Sequence, residues 1–527
     1  MTQLPQPFPE RHELEEIRWD FPFGQSYSQD SLKGALRFVY TECEIFTQAI
    51  EPRYRIIMGR KGSGKTSLIK RIRLGNEYDI KVICKKEELF TWVETSIKQN
   101  SIEEELIEPY ENRCMDFFWI SIFQEIVQKA ELNHVKYFLK KIQRDQGTIL
   151  AGIQEWSSVN LNAKNLFASV SAAIISIFIK DKKVDFDKAK LEAISFLKGK
   201  KVVVLIDNLE DYPFNTLRTQ KIFAALLLST VNFSDEANIT VKCFIPSKFS
   251  IKLKDNIVNW GKLNQHMIEL RWKDKELLTM LCRRLRFYLY RQSQYNESDF
   301  SDFQEVSQSL SFWNSYFVPK VYNKAFDIEE TVIPYILRHT QLTPRQAIQL
   351  CNSIVSKEPN FPAQTISEEK IRKGIEEKES DLCEEIFNSC KQTYPNVEKL
   401  CSQYLRKLPM SFPLSTLRHE VYEQLDNNND NYKIYRNDYI LFERMLFGLG
   451  IIGIGVNSNQ ISQTIYSTYN IAQFKPSCEN NLSPNEGDQI FVHPMFIHKI
   501  NFVRNRNACS KPVCPIKVVE TPEIFEY

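Results

Sequence analysis

Eight consecutive residues, Gly59, Arg60, Lys61, Gly62, Ser63, Gly64, Lys65 and Thr66, have the types and spacing to hold a chain of phosphates. The glycines let the backbone curl until successive N–H groups point at one anion. Lys65 then reaches the terminal phosphates, and Thr66 offers its hydroxyl to a magnesium ion. Ser67 continues into a helix whose N-terminal dipole adds to the attraction. Such a loop requires a second element, an acid at a strand end that holds magnesium through water. The stretch VVVLIDNLED at residues 202–211 supplies it in Asp207. Glu210 and Asp211 come within reach of the same place if the chain turns there, and Pro213 favours a turn.

These residues need elements to position them. Residues 54–58 read as a buried strand leading into the loop, and residues 67–72 have helical spacing after it. The continuous apolar run at 202–206 predicts a central parallel strand, buried on both faces. Asp207 then stands at its carboxyl end, where ligands bind in open α/β sheets. Residues 79–85, 238–246 and 266–272 predict three more short strands, so the core is an α/β layer with a parallel sheet. Ser247, just past the fourth strand, suits either a γ-phosphate sensor or a helix N-cap. Helical periodicity between about 87 and 200, including the apolar run 166–179, predicts an insertion that packs around the sheet or offers a partner surface.

Beyond the last strand the pattern is helical. Thr343 and Pro344 open a helix with Arg345 in its first turn. A cation there opposes the helix dipole, and a bound phosphate would account for it. Further on, residues 448–453 spell G-x-G-x-x-G, but they follow a helix and not a strand. The dinucleotide-binding reading fails on that context, and the glycines read as a helix cap leading into a strand. Helices followed by hairpin candidates predict a winged-helix-like α+β domain at the C-terminus. The expected boundaries are a lead segment at 1–52, a nucleotide-binding core at 53–272 with its insertion at about 87–200, a helical lid at 273–375, and the C-terminal domain at 376–527.

Composition narrows the partners. The net charge of +2 gives no global field toward DNA or an anionic membrane, and within the C-terminal domain the first dense basic stretch comes only at 499–506. DNA remains open but is not indicated by charge. The twelve cysteines are scattered without a C-x-x-C pair, which suits buried thiols in a reducing compartment. His493 and His498 have no convergent partners for a metal. The N-terminus lacks an apolar signal core, and the longest apolar stretch, 14 residues, is too short to span a bilayer. A cytoplasmic protein without a membrane partner is expected.

The loop GRKGSGKTS, the strand end IDNLED, the segment ELRW followed by ELLTMLCRRL, and TPRQAIQLCN resemble bacterial P-loop ATPases of the STAND/AAA-like (ASCE) type. The resemblance covers roughly residues 20–375. It implies an ASCE-type core with Lys65 and Thr66 at phosphate and magnesium, Asp207 at magnesium, and Arg345 as a sensor arginine. Proteins of this kind are frequently found in antiphage defence loci, working as oligomers beside a separate effector. Many place a glutamate directly after the magnesium aspartate, where this chain has Asn208. An amide can orient water but cannot accept its proton. Three outcomes are open: Glu210 is the base, Asp211 is the base, or hydrolysis is slow and bound ATP acts as a switch.

The reading is therefore an ATP- and magnesium-dependent regulatory ATPase that couples slow hydrolysis to assembly, as a homo-oligomer or with a separate effector protein. Arg271 or Arg284 could act in trans on a neighbouring subunit's nucleotide. The alternatives are a DNA-dependent motor or loader, and a scaffold that holds ATP without turning it over. No N-K-x-D element follows the fourth strand to read guanine, which favours ATP.

Overall fold

A computed structural model describes residues 19–26, 43–84, 106–140, 183–207, 216–233, 238–249, 260–292, 305–391, 393–406, 408–425, 432–456, 463–474, 485–502 and 510–516, with isolated positions between them. The chain divides into two compact units. One contains residues 46–59 and 65–269; the other contains residues 60–64 and 270–527 together with residues up to 45.

The first unit is built on five strands: β1 (Ile56–Gly59), β2 (Ile80–Cys84), β3 (Val202–Ile206), β4 (Ile239–Pro246) and β5 (Met267–Glu269). They are the five strands expected from the sequence. All pair in parallel, in the order β2-β3-β4-β1-β5. Every residue of β1, β3 and β4 is buried, as continuous apolar runs in a doubly covered sheet must be. On the edge strand β2 the pattern relaxes, and Ile83 is exposed.

Register sets the heights of the strand ends. Ile206 is level with Cys243, and Cys243 with Ile56. Beyond that level β1 and β4 run on to Gly59 and Pro246, three residues or about 10 Å past the end of β3. Lys242, fully buried in β4, fixes the approach to β1. Its Nζ donates to the carbonyls of Ala49, Glu51 and Tyr54 at 2.8, 2.8 and 2.7 Å, which uses all three ammonium donors.

Helix α1 (Lys65–Leu74) follows the loop after β1. In the insertion, α2 (Glu108–Ile126) begins with Pro109 at a position that needs no N–H and with Glu108 and Glu111 in its first turn. Its Phe118 and Trp119 pack on Phe233, with ring centroids 5.3 and 5.6 Å away. Phe123 packs in turn on Phe138 and on Phe186 of α3 (Lys183–Leu197). The described part of the insertion thus packs on the sheet unit. The apolar run 166–179 lies outside the described residues. After β3, α4 (Leu217–Asn232) is started by Thr216, whose Oγ1 accepts from the Thr219 backbone N–H at 3.2 Å.

The second unit is α+β. Its elements include α5 (Asp274–Arg291), the hairpin β6 (Lys320–Asn323) and β7 (Ile328–Thr331), α6 (Val332–Leu337), α7 (Pro344–Val355) and α8 (Glu368–Cys390). Helices α7 and α8 cross closely at Gly374, where a Cβ would lie 2.5 Å from the Ile354 backbone.

Toward the C-terminus, α9 (Tyr439–Leu449) is capped by Asp438, which accepts from Leu441 N at 2.9 Å. It ends at Gly450 in the left-handed conformation, φ +69°, with Ile451 N donating to Leu446 O at 3.0 Å. The glycines of 448–453 therefore do cap a helix and feed a strand, β9 (Ile452–Gly455). With β8 (Ser411–Pro413), β10 (Asn470–Gln473), β11 (Gln489–Val492) and β12 (Val513–Ile516) it forms a five-stranded mixed sheet, order β12-β10-β9-β11-β8. Only β10 and β12 pair in parallel. Its core draws Phe387 from α8, Phe442 and Leu446 from α9, and Ile490 and Val492 from β11. This is a winged-helix-like α+β module.

Among the described residues ten cysteines are free and buried, no group of histidines, cysteines and acids could hold a metal, and no helix is long and apolar enough to cross a membrane. His493, which follows β11, is 1% exposed and packs edge-on against Phe474. Its Nδ1 accepts from Met495 N at 3.3 Å, so the neutral ring is the form that fits. Burial, reinforced by the charges of Arg60 and His339, pushes its pKa down to about 3.

The ordinary histidine value is about 6.5, so between these limits the unfolded chain binds one proton more than the folded one. Folding stability must then fall as pH drops from 6.5 toward 3, by up to about 1.4 kcal/mol per pH unit. Urea midpoints at pH 7 and pH 4.5 test this. The wild type should lose about 2 kcal/mol more across that interval than His493→Gln; equal losses would show that this ring does not drive the acid sensitivity.

Candidate phosphate-binding site

In the sheet unit, three groups expected to meet phosphate and magnesium lie at the carboxyl ends of two strands. Lys65 is the first residue of α1 and is 6% exposed, with Nζ donating to Gly59 O at 2.9 Å. Thr66 follows it, half-buried, and its Oγ1 donates to Asp207 Oδ2 at 3.4 Å. Asp207 is the residue directly after β3. Since β3 stops about 10 Å short of Gly59, the helix that descends from the loop brings Thr66 back to the height of Asp207. A hydroxyl and a carboxylate side by side are hard oxygen donors of the kind magnesium takes, its remaining positions being left to water and phosphate. Ser247 starts a short 3₁₀ turn after β4, and its Oγ donates to Glu269 Oε1 at 3.0 Å.

In the other unit lie residues 60–64 of the loop. Ser63 N donates to Arg60 O at 3.1 Å, closing a turn, and Gly62 and Gly64 have φ of +83° and +98°. Side-chain-bearing residues rarely hold those angles. Two residues from later in the chain hold this turn. Trp272, buried, donates its indole N–H to Ser63 O at 2.9 Å. Arg345, second residue of α7 behind Thr343 and Pro344, lies against Gly62, where an added Cβ would come within 2.6 Å of the Arg345 Cβ. The Arg345 backbone N–H donates to Gly62 O at 3.4 Å.

The side chain of Arg60 leaves the loop. Its guanidinium nitrogens would stand 2.9 Å from a Cβ placed on Gly450, as would Gln341 Nε2. Gln341 Nε2 also donates to Leu449 O at 2.6 Å. The cation thus sits at the C-terminal end of α9, where helix carbonyls favour positive charge. Burial draws its pKa down to about 10, which leaves it charged at neutral pH. Lys61 is exposed and Ser67 half-buried.

Asn208, Glu210 and Asp211 lie outside the described residues. Arg284 requires a correction. It is not available to a neighbouring subunit, because it is 6% exposed, donates from Nη2 to Gln25 O at 2.9 Å and from Nε to Phe23 O, and stacks over Trp19. Sequence reasoning assigned no role to Trp272, Gln341 or Gly450. Trp272 stood inside the quoted ELRW segment, but nothing in a single chain signals that an indole will meet a loop carbonyl more than 200 positions earlier.

The sheet unit is an α/β core of parallel strands with flanking helices, the glycine-rich stretch follows β1, and Asp207 follows β3. No family model matches the chain, and no curated protein does. Twelve solved chains match; among them, the chain is similar to the ORC2 protein of Aeropyrum pernix, solved in ADPNP and ADP complexes. That likeness has 12% identity and a TM-score of 0.34, and covers 85% of this chain and 87% of that one.

Gly62→Ala tests the loop. It incurs left-handed strain of about 1–2 kcal/mol and also meets the Arg345 stem. Gly199→Ala is the control: Gly199 has φ +80° but nothing within 4 Å of a Cβ. In urea denaturation Gly62→Ala should lose more stability than the control, and only Gly62→Ala should weaken binding of a fluorescent ATP analogue, by tenfold or more. Equal effects of the two would mean that the Arg345 contact does not shape the loop.

Proposed function

We propose that the chain is an ATP-binding regulatory ATPase, in which nucleotide state controls oligomeric assembly with a partner effector. The observation that carries this reading is the meeting of Thr66 and Asp207, 141 positions apart in sequence, with Oγ1 and Oδ2 3.4 Å apart. A threonine hydroxyl beside a strand-end aspartate is a donor pair that magnesium with bound phosphate and water would take. The order of the sheet, with β4 between the loop strand and the aspartate strand, agrees with the ASCE-type core implied by the sequence resemblance.

In this reading the N–H groups of Gly62, Ser63 and Gly64 bind the phosphate chain, and Lys65 neutralises its terminal charge. Thr66 and Asp207 hold magnesium, which when bound neutralises phosphate charge and orients the terminal group. Arg345, held against the loop at Gly62, reads the terminal phosphate through its guanidinium. Asn208 orients water by hydrogen bonding, and Glu210 or Asp211 accepts its proton. The boundaries expected from sequence give the parts their roles: the core at 53–272 binds nucleotide, the lid at 273–375 carries the sensor, and the C-terminal domain makes contacts with partners. Bacterial antiviral defence is the setting that the resemblance suggests.

Steady-state ATP hydrolysis by the purified chain, with and without added duplex DNA, tests the reading. Lys65→Ala and Asp207→Ala should each lower turnover roughly a hundredfold, and magnesium chelation should do the same. Glu210→Gln and Asp211→Asn identify the acid that takes the proton. Turnover that rises severalfold with DNA would favour a DNA-dependent motor or loader. ATP retained through gel filtration without turnover would favour a binding scaffold. Wild-type protein that neither binds nor hydrolyses ATP would refute the proposal.

A further inference from the structure

A cleft of 760 Å³ lies in the unit formed by residues 270–527, apart from the phosphate loop. Its walls are the β6–β7 hairpin, the end of α6, the first turns of α8 and the segment 494–498. That volume falls in the range of sites for small organic ligands.

The lining combines three kinds of group. Arg338 is 5% exposed, and one of its five N–H donors is used: Nη2 donates to Glu330 Oε1 at 3.1 Å. Its Nε is buried without a hydrogen-bond partner among the described residues. The Arg338 side chain lines the cleft, and a guanidinium there favours a ligand bearing oxygen acceptors. Lys373 of α8 is exposed and has no ion-pair partner among the described residues, and it supplies a second cation. Aromatic rings follow: Tyr335 carries the Arg338 guanidinium 4.8 Å from its centroid, and Phe326 and Tyr322 line the hairpin side. The third kind is acidic, Glu369 and Glu376 of α8, which accept hydrogen bonds from hydroxyls or amines.

A guanidinium matches phosphate or carboxylate geometry, rings take the face of a planar group, and the two acids take neighbouring hydroxyl donors. We propose that this cleft is a second ligand site that binds a small phosphate monoester carrying a planar ring and free hydroxyls, the chemistry of a nucleoside monophosphate.

The test uses the full chain carrying Lys65→Ala, so that the phosphate loop does not contribute, and isothermal titration with AMP, adenosine and ribose 5-phosphate. AMP should bind at least tenfold more tightly than either fragment. Lys373→Glu, at an exposed position that leaves the fold intact, should weaken AMP binding tenfold or more. Arg338→Gln should weaken it further, with a thermal melt to account for any loss of folding from the unpaired Glu330. Absence of AMP binding, equal binding of AMP and a fragment, or AMP binding unchanged by Lys373→Glu would each overturn the proposal.

Discussion

The constraint on which the site depends is the register of a parallel sheet. Every strand of the core points the same way, so every strand ends at one edge, and any acid after β3 meets any loop after β1 if their heights agree. Ile206, Cys243 and Ile56 lie level, which fixes the position of Asp207 relative to β1. The rise of β1 to Gly59 then leaves room for the loop to turn and for α1 to bring Thr66 back down. A slip of one residue between β3 and β4 would shift Asp207 by about 3.3 Å and reverse the faces of the strand. The continuous burial of β3 resists such a slip only weakly, since a strand apolar on both faces has no polar side to misplace. Lys242 fixes a different register, that of β4 with β1, by tying β4 to three carbonyls in the segment before β1.

The loop itself is held by contacts with distant parts of the chain. Trp272 takes the Ser63 carbonyl, Arg345 lies against Gly62, and Arg60 reaches the end of α9 beside Gly450. A cation at a helix C-terminus contributes about 0.3–2 kcal/mol, more when buried. Each contact is modest, and the turn they surround holds Gly62 and Gly64 at left-handed φ. Arg60 therefore differs in kind from Lys65: it lies beside Gly450 at the C-terminal end of α9, whereas Lys65 donates to Gly59 O.

What was legible in the sequence follows from what is local. The glycine loop, the five strands, the Thr343-Pro344 helix start and the cap at Gly450 are encoded in neighbouring residues, through periodicity and backbone freedom, and could be read directly. The meeting of Thr66 with Asp207 was also readable, because the loop chemistry demands an acid at a strand end and only one continuous apolar run ended in one. Contacts such as Trp272 with Ser63 and Gln341 with Leu449 were not, because hydrogen bonds between distant segments leave no periodic trace. Arg284 shows the same limit from the other side. Paired arginines on a helix look exposed in sequence, yet Arg284 is buried by carbonyls of a segment some 260 positions earlier.

The asparagine after Asp207 can be weighed by rates. A positioned general base contributes roughly 10²–10⁴-fold, and a typical enzyme turns over at about 10 per second. If an amide alone orients the water, turnover falls to roughly 0.1–0.001 per second, and each bound ATP survives from about ten seconds to many minutes. Subunit assembly takes milliseconds to minutes. A nucleotide that outlives assembly can report its presence through the oligomer, while one hydrolysed in a tenth of a second cannot. If neither Glu210 nor Asp211 takes the proton, the substitution would impair a motor, which must turn over at every step, while remaining compatible with a switch.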